Sequence, residues 1–174
     1  MKPNSEYKIE FAGLKIGSHQ FNFNADKKFF DKFNFSDFND VSVDIDIDLI
    51  KKSTLLELNF NLKGKANVNC DLTNEPFDCI VKHEAVLVVK FGQEYNDEDD
   101  EILILPHGEH KLYVDQFIFE MIVLSLPPKR IHPGVEDGSL KSEILDILED
   151  LKPKENSNLV DPRWEQLKSL KKIK

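Results

Sequence analysis

Val41-Ser42-Val43-Asp44-Ile45-Asp46-Ile47-Asp48-Leu49 is the stretch that decides the fold. Five apolar side chains alternate with one Ser and three Asp, a period of two that belongs to a pleated strand and not to a helix. One face is apolar and the other fully polar, so the strand covers a core on one side and meets water on the other. Parallel strands, buried on both faces, rarely read this way; antiparallel ones commonly do.

The same reading extends outward in both directions. Leu56, Leu58, Phe60 and Leu62 repeat the alternation against Glu57, Asn59 and Asn61. Gly64 is expected to allow a turn, after which Ala66, Val68 and Cys70 share a face. A further strand is predicted from about Phe77 to Phe91, and a short one at Ile102-Leu103-Ile104-Leu105. Upstream, Tyr7 to Phe11 and Gln20 to Asn24 alternate between turn residues. Phe29, Phe30 and Phe33 fall at helical spacing behind Asp26, a good N-cap. The acidic run Glu94 to Glu101 reads as a solvated, mobile loop, since it lacks the Gly and ligand spacing of a calcium loop.

Residues 115–126 change character. Asp115 is expected to cap a helix that is apolar on every side, ends at Pro127-Pro128, and lies buried across the sheet. Glu120 is its one interior carboxylate. It is expected to pair with Lys129 or Arg130 or to reach solvent, because no second acid or base stands beside it for catalysis. Leu140, Ile144, Ile147, Leu148 and Leu151 mark another helix, stopped by Pro153. After a polar linker, Asp161-Pro162 opens a last helix with an N-cap and a Pro at its first position. The fold class is therefore α+β: a mainly antiparallel β meander, able to curl into a barrel-like sheet, with a helix across it and C-terminal helices. Residues 1–151 are read as one domain, and 152–174 as a basic linker and helix.

The chain has 174 residues and a formal charge of −9, from 32 acidic and 23 basic side chains. Residues 151–174 hold seven basic and three acidic side chains, or +4, which leaves −13 for residues 1–150. An acidic body is a poor surface for holding nucleic acid by bulk electrostatics. The basic tail can dock on that body or capture a partner. No apolar run spans a bilayer, and Met1 to Glu6 lacks the apolar stretch of a signal peptide. Two Cys point to a reducing compartment, so the expected location is cytoplasmic, with no membrane partner.

Chemistry-bearing motifs are scarce. Seven scattered Gly form no phosphate-cradling loop, and the sequence has no nucleophile elbow, no His-x-x-x-His and no Cys-x-x-Cys. No catalytic residue, cofactor or small-molecule substrate is expected. Cys70, Cys79 and His83 could form a metal site only if the strands brought them together; two packed thiols are the simpler expectation. Two features exceed a bland fold. Lys129, Arg130 and His132 sit on a Pro-stiffened loop suited to phosphate contact. Trp164, the only Trp, adjoins Arg163 on a tethered helix and reads as an anchor for this protein's own sheet or for a partner. Lys168, Lys171 and Lys172 extend that basic surface.

These blocks carry a resemblance. Cys70-Asp71-Leu72-Thr73-Asn74-Glu75-Pro76-Phe77 is similar to the Cys-Asp-Arg-Cys-Leu-Glu-Pro-Phe signature of the YceD family. Phe119-Glu120 through Leu126-Pro127 resembles its helix ending in Leu-Pro, and Asp161-Pro162-Arg163-Trp164 with Leu167 and Leu170 resembles its terminal helix. Cys70, Glu120, Asp161 and Pro162 serve as markers of the family. Thr73 replaces the signature's second Cys and Leu72 its Arg, so no metal site at that pair carries over.

The resemblance implies a bacterial or plastid, non-enzymatic factor in ribosome biogenesis, linked to accumulation of large-subunit (23S) ribosomal RNA. Its partner would be a large-subunit RNA precursor or a ribosomal or assembly protein. Contact with RNA would fall to Lys129, Arg130 and His132 and to the basic tail. The competing reading is an acidic module that binds a basic protein without touching RNA.

Overall fold

The computed structural model describes residues 6–99 and 101–152. In chain order its elements are β1 (Lys8–Ile9), β2 (Gly17–Asp26), α1 (Lys27–Asp31), β3 (Asp40–Lys51), β4 (Leu55–Asn69), β5 (Pro76–Gly92), β6 (Asn96–Asp99), β7 (Ile102–Pro106), β8 (Leu112–Tyr113), α2 (Asp115–Ser125), α3 (Pro133–Glu136) and α4 (Glu143–Asp150). The class is α+β with mostly antiparallel strands. The chain divides into two compact units between Leu140 and Lys141, and α4 belongs to the second. Among the described residues no helix is long and apolar enough to cross a membrane.

The alternation of β3 does what its pattern dictates. Val41, Val43, Ile45, Ile47 and Leu49 are all buried, and Asp44, Asp46 and Asp48 are exposed. Leu56, Leu58, Phe60 and Leu62 of β4 continue the buried face, in register with Lys51, Leu49, Ile47 and Ile45. Each such buried apolar side chain contributes roughly 1.5–3 kcal/mol of apolar transfer energy. A one-residue slip would turn the whole Asp row inward, so the register is strongly fixed.

The sheet order is β2-β3-β4-β5-β7-β6, and the sheet stays open, with β2 and β6 as edges. The first four strands form an antiparallel meander. The fourth pairing departs from it, because β7 runs parallel to β5. The reason lies in the acidic run, which is not wholly a loop. Its Asn96–Asp99 part is the edge strand β6, antiparallel to β7. The chain passes to the sheet's outer edge, where its carboxylates stay in water, and the apolar β7 returns into the gap with Leu103 and Leu105 buried.

Gly64 makes no turn. It lies inside the unbroken 15-residue β4, opposite Val43. A Cβ there would lie 2.6 Å from the Val43 Cα and closer still to the Ser42 carbonyl oxygen. Glycine is required at this point for close backbone approach, not for a bend.

Aromatic rings fill the space beside the inner face. Asp26 caps α1 as expected, its Oδ1 accepting the Phe29 N–H at 3.0 Å. Phe29 and Phe30 are buried, and Phe33 stacks on Phe119 of α2 at 4.4 Å with 8° between planes. Asp115 is not the cap of α2. Val114 holds that position, and Asp115 is the first helical residue, where its charge suits the positive end of the helix dipole. Nor is α2 enclosed on every side. Ile118 and Ile122 are buried, while Gln116, Glu120 and Leu124 are exposed, Leu124 at 79%. The side turned to water is the stripe of Gln116, Glu120 and Leu124, four residues apart, and its two polar members make that side the one left uncovered.

The second unit's α4 carries Ile144, Ile147 and Leu148 at helical spacing, with Glu143, Asp146, Glu149 and Asp150 between them.

Candidate functional site

The connection between β4 and β5 is a tight turn built around Cys70. Its N–H donates to the Glu75 carbonyl at 2.8 Å, and its carbonyl accepts the Asn74 N–H at 2.8 Å. Asn74 takes φ +58, the left-handed region that Asn tolerates better than most residues. Thr73 is buried beneath the turn, and its hydroxyl accepts the Glu75 N–H at 3.4 Å.

The loop that follows α2 is stapled onto this turn. Pro127 and Pro128 end the helix, and the chain then runs back across the Cys70 turn. The Asp71 N–H donates to the Arg130 carbonyl at 2.8 Å, and Asp71 Oδ2 accepts the Arg130 N–H at 2.7 Å. Two residues on, the His132 N–H donates to Cys70 Sγ at 3.3 Å. The His132 ring packs edge-on to Phe77, with centroids 5.4 Å apart. Its Nδ1 accepts the Gly134 N–H at 2.9 Å and so caps the short α3. In the neutral ring that acceptor role leaves the proton on Nε2.

Cys70 Sγ therefore sits in a nest of donors. Burial works against its thiolate, but the Thr73 hydroxyl and the N–H groups of His132, Thr73 and Leu72 outweigh burial and bring the thiol below its ordinary value. Thr73 stands where the resemblance has a second Cys, and here it donates to the first. Burial pushes the Cys79 thiol up instead, against the opposing pull of Arg130.

The three cations of the loop have separate environments. The Arg130 guanidinium is turned toward Asp37, 3.7 Å from its Oδ2, and is only 27% exposed. The His132 ring serves as a cap. Lys129 projects into solvent. Glu120 is exposed and accepts from Gln116 Nε2 at 2.5 Å. Cys70, Cys79 and His83 do not converge, since Cys79 and His83 are four residues apart on one strand, roughly 13 Å. Among the described residues no three His, Cys, Asp or Glu side chains could hold a metal ion. Asp161, Pro162, Arg163, Trp164, Lys168, Lys171 and Lys172 lie outside the described residues.

Two segments more than fifty residues apart thus form one hydrogen-bonded unit, and both fall inside a single family match. Residues 58–171 match the model of YceD, the large ribosomal RNA subunit accumulation protein. The chain belongs to the YceD family. Neither a curated protein nor a solved structure matches it. The YceD match begins within β4 and includes the Cys70 turn, α2 and the Leu126–Pro133 loop. Sequence reading picked out Cys70 and the basic loop of this YceD member but missed the parts of Asp71, Thr73 and Asp37. Asp71 stood within the signature block; nothing in the sequence marked Asp37 as a partner of Arg130.

Proposed function

We propose that the chain is a non-enzymatic ribosome-biogenesis factor that supports the accumulation or processing of large-subunit (23S) ribosomal RNA in the cytoplasm. The observation that carries this reading is the YceD match over residues 58–171. The stapled Cys70 turn and Leu126–Pro133 loop give the family's two central blocks a common structural purpose. They hold Lys129 outward on a braced backbone beside Arg130. Direct contact with RNA falls to that loop and to residues 152–174, through the basic Arg163, Lys168, Lys171 and Lys172 and the aromatic Trp164. Each Lys or Arg contact to phosphate steepens the salt dependence of binding.

Sucrose-gradient profiles of cells that lack the protein test the proposal. Reduced free and assembled large subunits support it; an unchanged profile sinks it.

One observation favours the second reading, a module for a basic protein partner. Asp44, Asp46 and Asp48 form an exposed carboxylate row along β3. Capture of the full chain from cells, with and without nuclease, separates the two readings. Loss of partners on nuclease treatment favours RNA, and nuclease-resistant recovery of a basic protein favours the module.

A further inference from the structure

The two edges of the sheet are built differently. At β6 the edge carries Asp97, Glu98 and Asp99, whose charge repels another acidic chain. At β2 the sequence is Gly17-Ser18-His19-Gln20-Phe21-Asn22-Phe23-Asn24-Ala25-Asp26, with no Lys, no Pro and one carboxylate at its end. None of the usual devices that blunt an edge strand is present in its first eight residues.

The hydrogen-bond parity of this edge is fixed by its neighbours. Lys52 N–H donates to the Leu55 carbonyl, so even-numbered residues of β3 face β4 and odd-numbered ones face β2. In the β2–β3 register the odd residues Gly17, His19, Phe21, Phe23 and Ala25 meet those odd partners. Ser18, Gln20, Asn22 and Asn24 therefore turn their N–H and carbonyl to the free edge. The Asn24 carbonyl confirms this, since it is taken by the Tyr7 hydroxyl at 2.6 Å. Among the described residues no group bonds the backbone of Ser18, Gln20 or Asn22.

What flanks this open backbone defines its occupant. On the inner face Phe21 and Phe23 are only partly buried. On the outer face Gln20 Nε2 donates to Asp48 Oδ1 at 2.9 Å and Asn24 Nδ2 to Asp44 Oδ1 at 2.7 Å, with Asn22 and Asp46 bonded likewise. These amides fix the three carboxylates and leave one oxygen of each unbonded among the described residues. The carboxylates recur roughly every 6.8 Å along the strand, the repeat of alternate residues on any antiparallel neighbour.

We propose that the free edge of β2 accepts an extended segment of a basic protein as an added antiparallel strand. Alternate Lys or Arg side chains of that segment lean over the Gln20/Asn22/Asn24 row toward Asp48, Asp46 and Asp44. The intervening apolar side chains cover Phe21 and Phe23. Backbone pairing supplies affinity and the alternate side chains supply selection, as in other strand additions. A second copy of this chain is the poorer occupant, because it brings its own net charge of −9 and its own Asp row. This surface is separate from the Lys129 loop, so it stands or falls independently of direct RNA contact.

Amide hydrogen exchange on the full chain tests it, with a synthetic ten-residue peptide alternating Lys and Val as probe and a Glu–Val peptide as control. At a peptide concentration about ten times its Kd, exchange at the Ser18, Gln20 and Asn22 amides should slow about tenfold. Combined Asp44→Asn, Asp46→Asn and Asp48→Asn substitution, or higher salt, should weaken the effect. Gln20→Pro removes an outward N–H while sparing the bonds to β3, and should weaken it with the circular dichroism spectrum intact. Equal protection by the Glu–Val peptide, or no protection by either, overturns the proposal. Protection that grows with protein concentration alone assigns the edge to a second copy and also overturns it.

Discussion

Asp71 and Arg130, 59 residues apart in sequence, hold each other by a reciprocal pair of hydrogen bonds: the Asp71 N–H on the Arg130 carbonyl, and the Arg130 N–H on the Asp71 carboxylate. The pair joins the β4–β5 turn to the loop after α2, and it keeps Lys129 on a fixed backbone. Removing the carboxylate should release half of this staple. Asp71→Ala is expected to cost about 1 kcal/mol, since the bond is charge-assisted but exposed. A lower urea midpoint at unchanged slope is the expected result. An unchanged midpoint would show that the loop is held elsewhere.

The thiol nest gives a pH signature. Thr73→Val preserves shape and removes the hydroxyl that donates to Cys70 Sγ. The Cys70 thiol should titrate higher in the variant, read as thiolate absorbance against pH. A thiol held below its ordinary 9.0 lends stability that is present above that value and is lost as pH falls through the folded-state value. The stability gap between wild type and Thr73→Val should therefore widen as pH rises toward 9. A gap independent of pH would mean that the hydroxyl does not serve the thiolate.

Tyr7 titrates in the opposite sense. Burial, with the nearby charges of Asp26 and Glu6, pushes its phenol up to about 12. The neutral phenol is what the fold prefers, so this contribution is complete below the ordinary value of 10.0 and is lost as pH rises toward about 12. Tyr7→Phe removes the bond to the Asn24 carbonyl and should cost about 1 kcal/mol near neutrality. Its alkaline loss of stability should be shallower than that of wild type, measured by urea unfolding at stepped pH.

Gly64 tests the continuity of β4. Its Cα lies against the Ser42–Val43 backbone, which cannot yield as a side chain can. Gly64→Val should destabilise by about 1–3 kcal/mol although valine is a good strand former, because the clash outweighs propensity. A neutral or stabilising result would place the close approach elsewhere.

Gly64 also shows where the sequence stopped being legible. Period-two alternation located β3, β4 and β5 because each strand has one wet face, and that signal is local. A glycine within such a run looks the same whether it makes a turn or lets another backbone come near. The parallel β5–β7 pairing was hidden for a similar reason, since four apolar residues do not record their direction. At the site, the Pro-framed cations and Cys70 could be picked out as residue types. Their joining could not be, because backbone N–H and carbonyl groups bond alike in every sequence. Exposure of Leu124 escaped too: composition says that a helix wants cover on all sides, not whether cover exists.

The most direct measurement is the ratio of mature large-subunit to small-subunit ribosomal RNA in cells depleted of the protein and then resupplied with it. The ratio should fall on depletion and recover with the wild-type chain, but recover incompletely with Lys129→Glu. A ratio that does not change on depletion would contradict the assignment to large-subunit RNA accumulation.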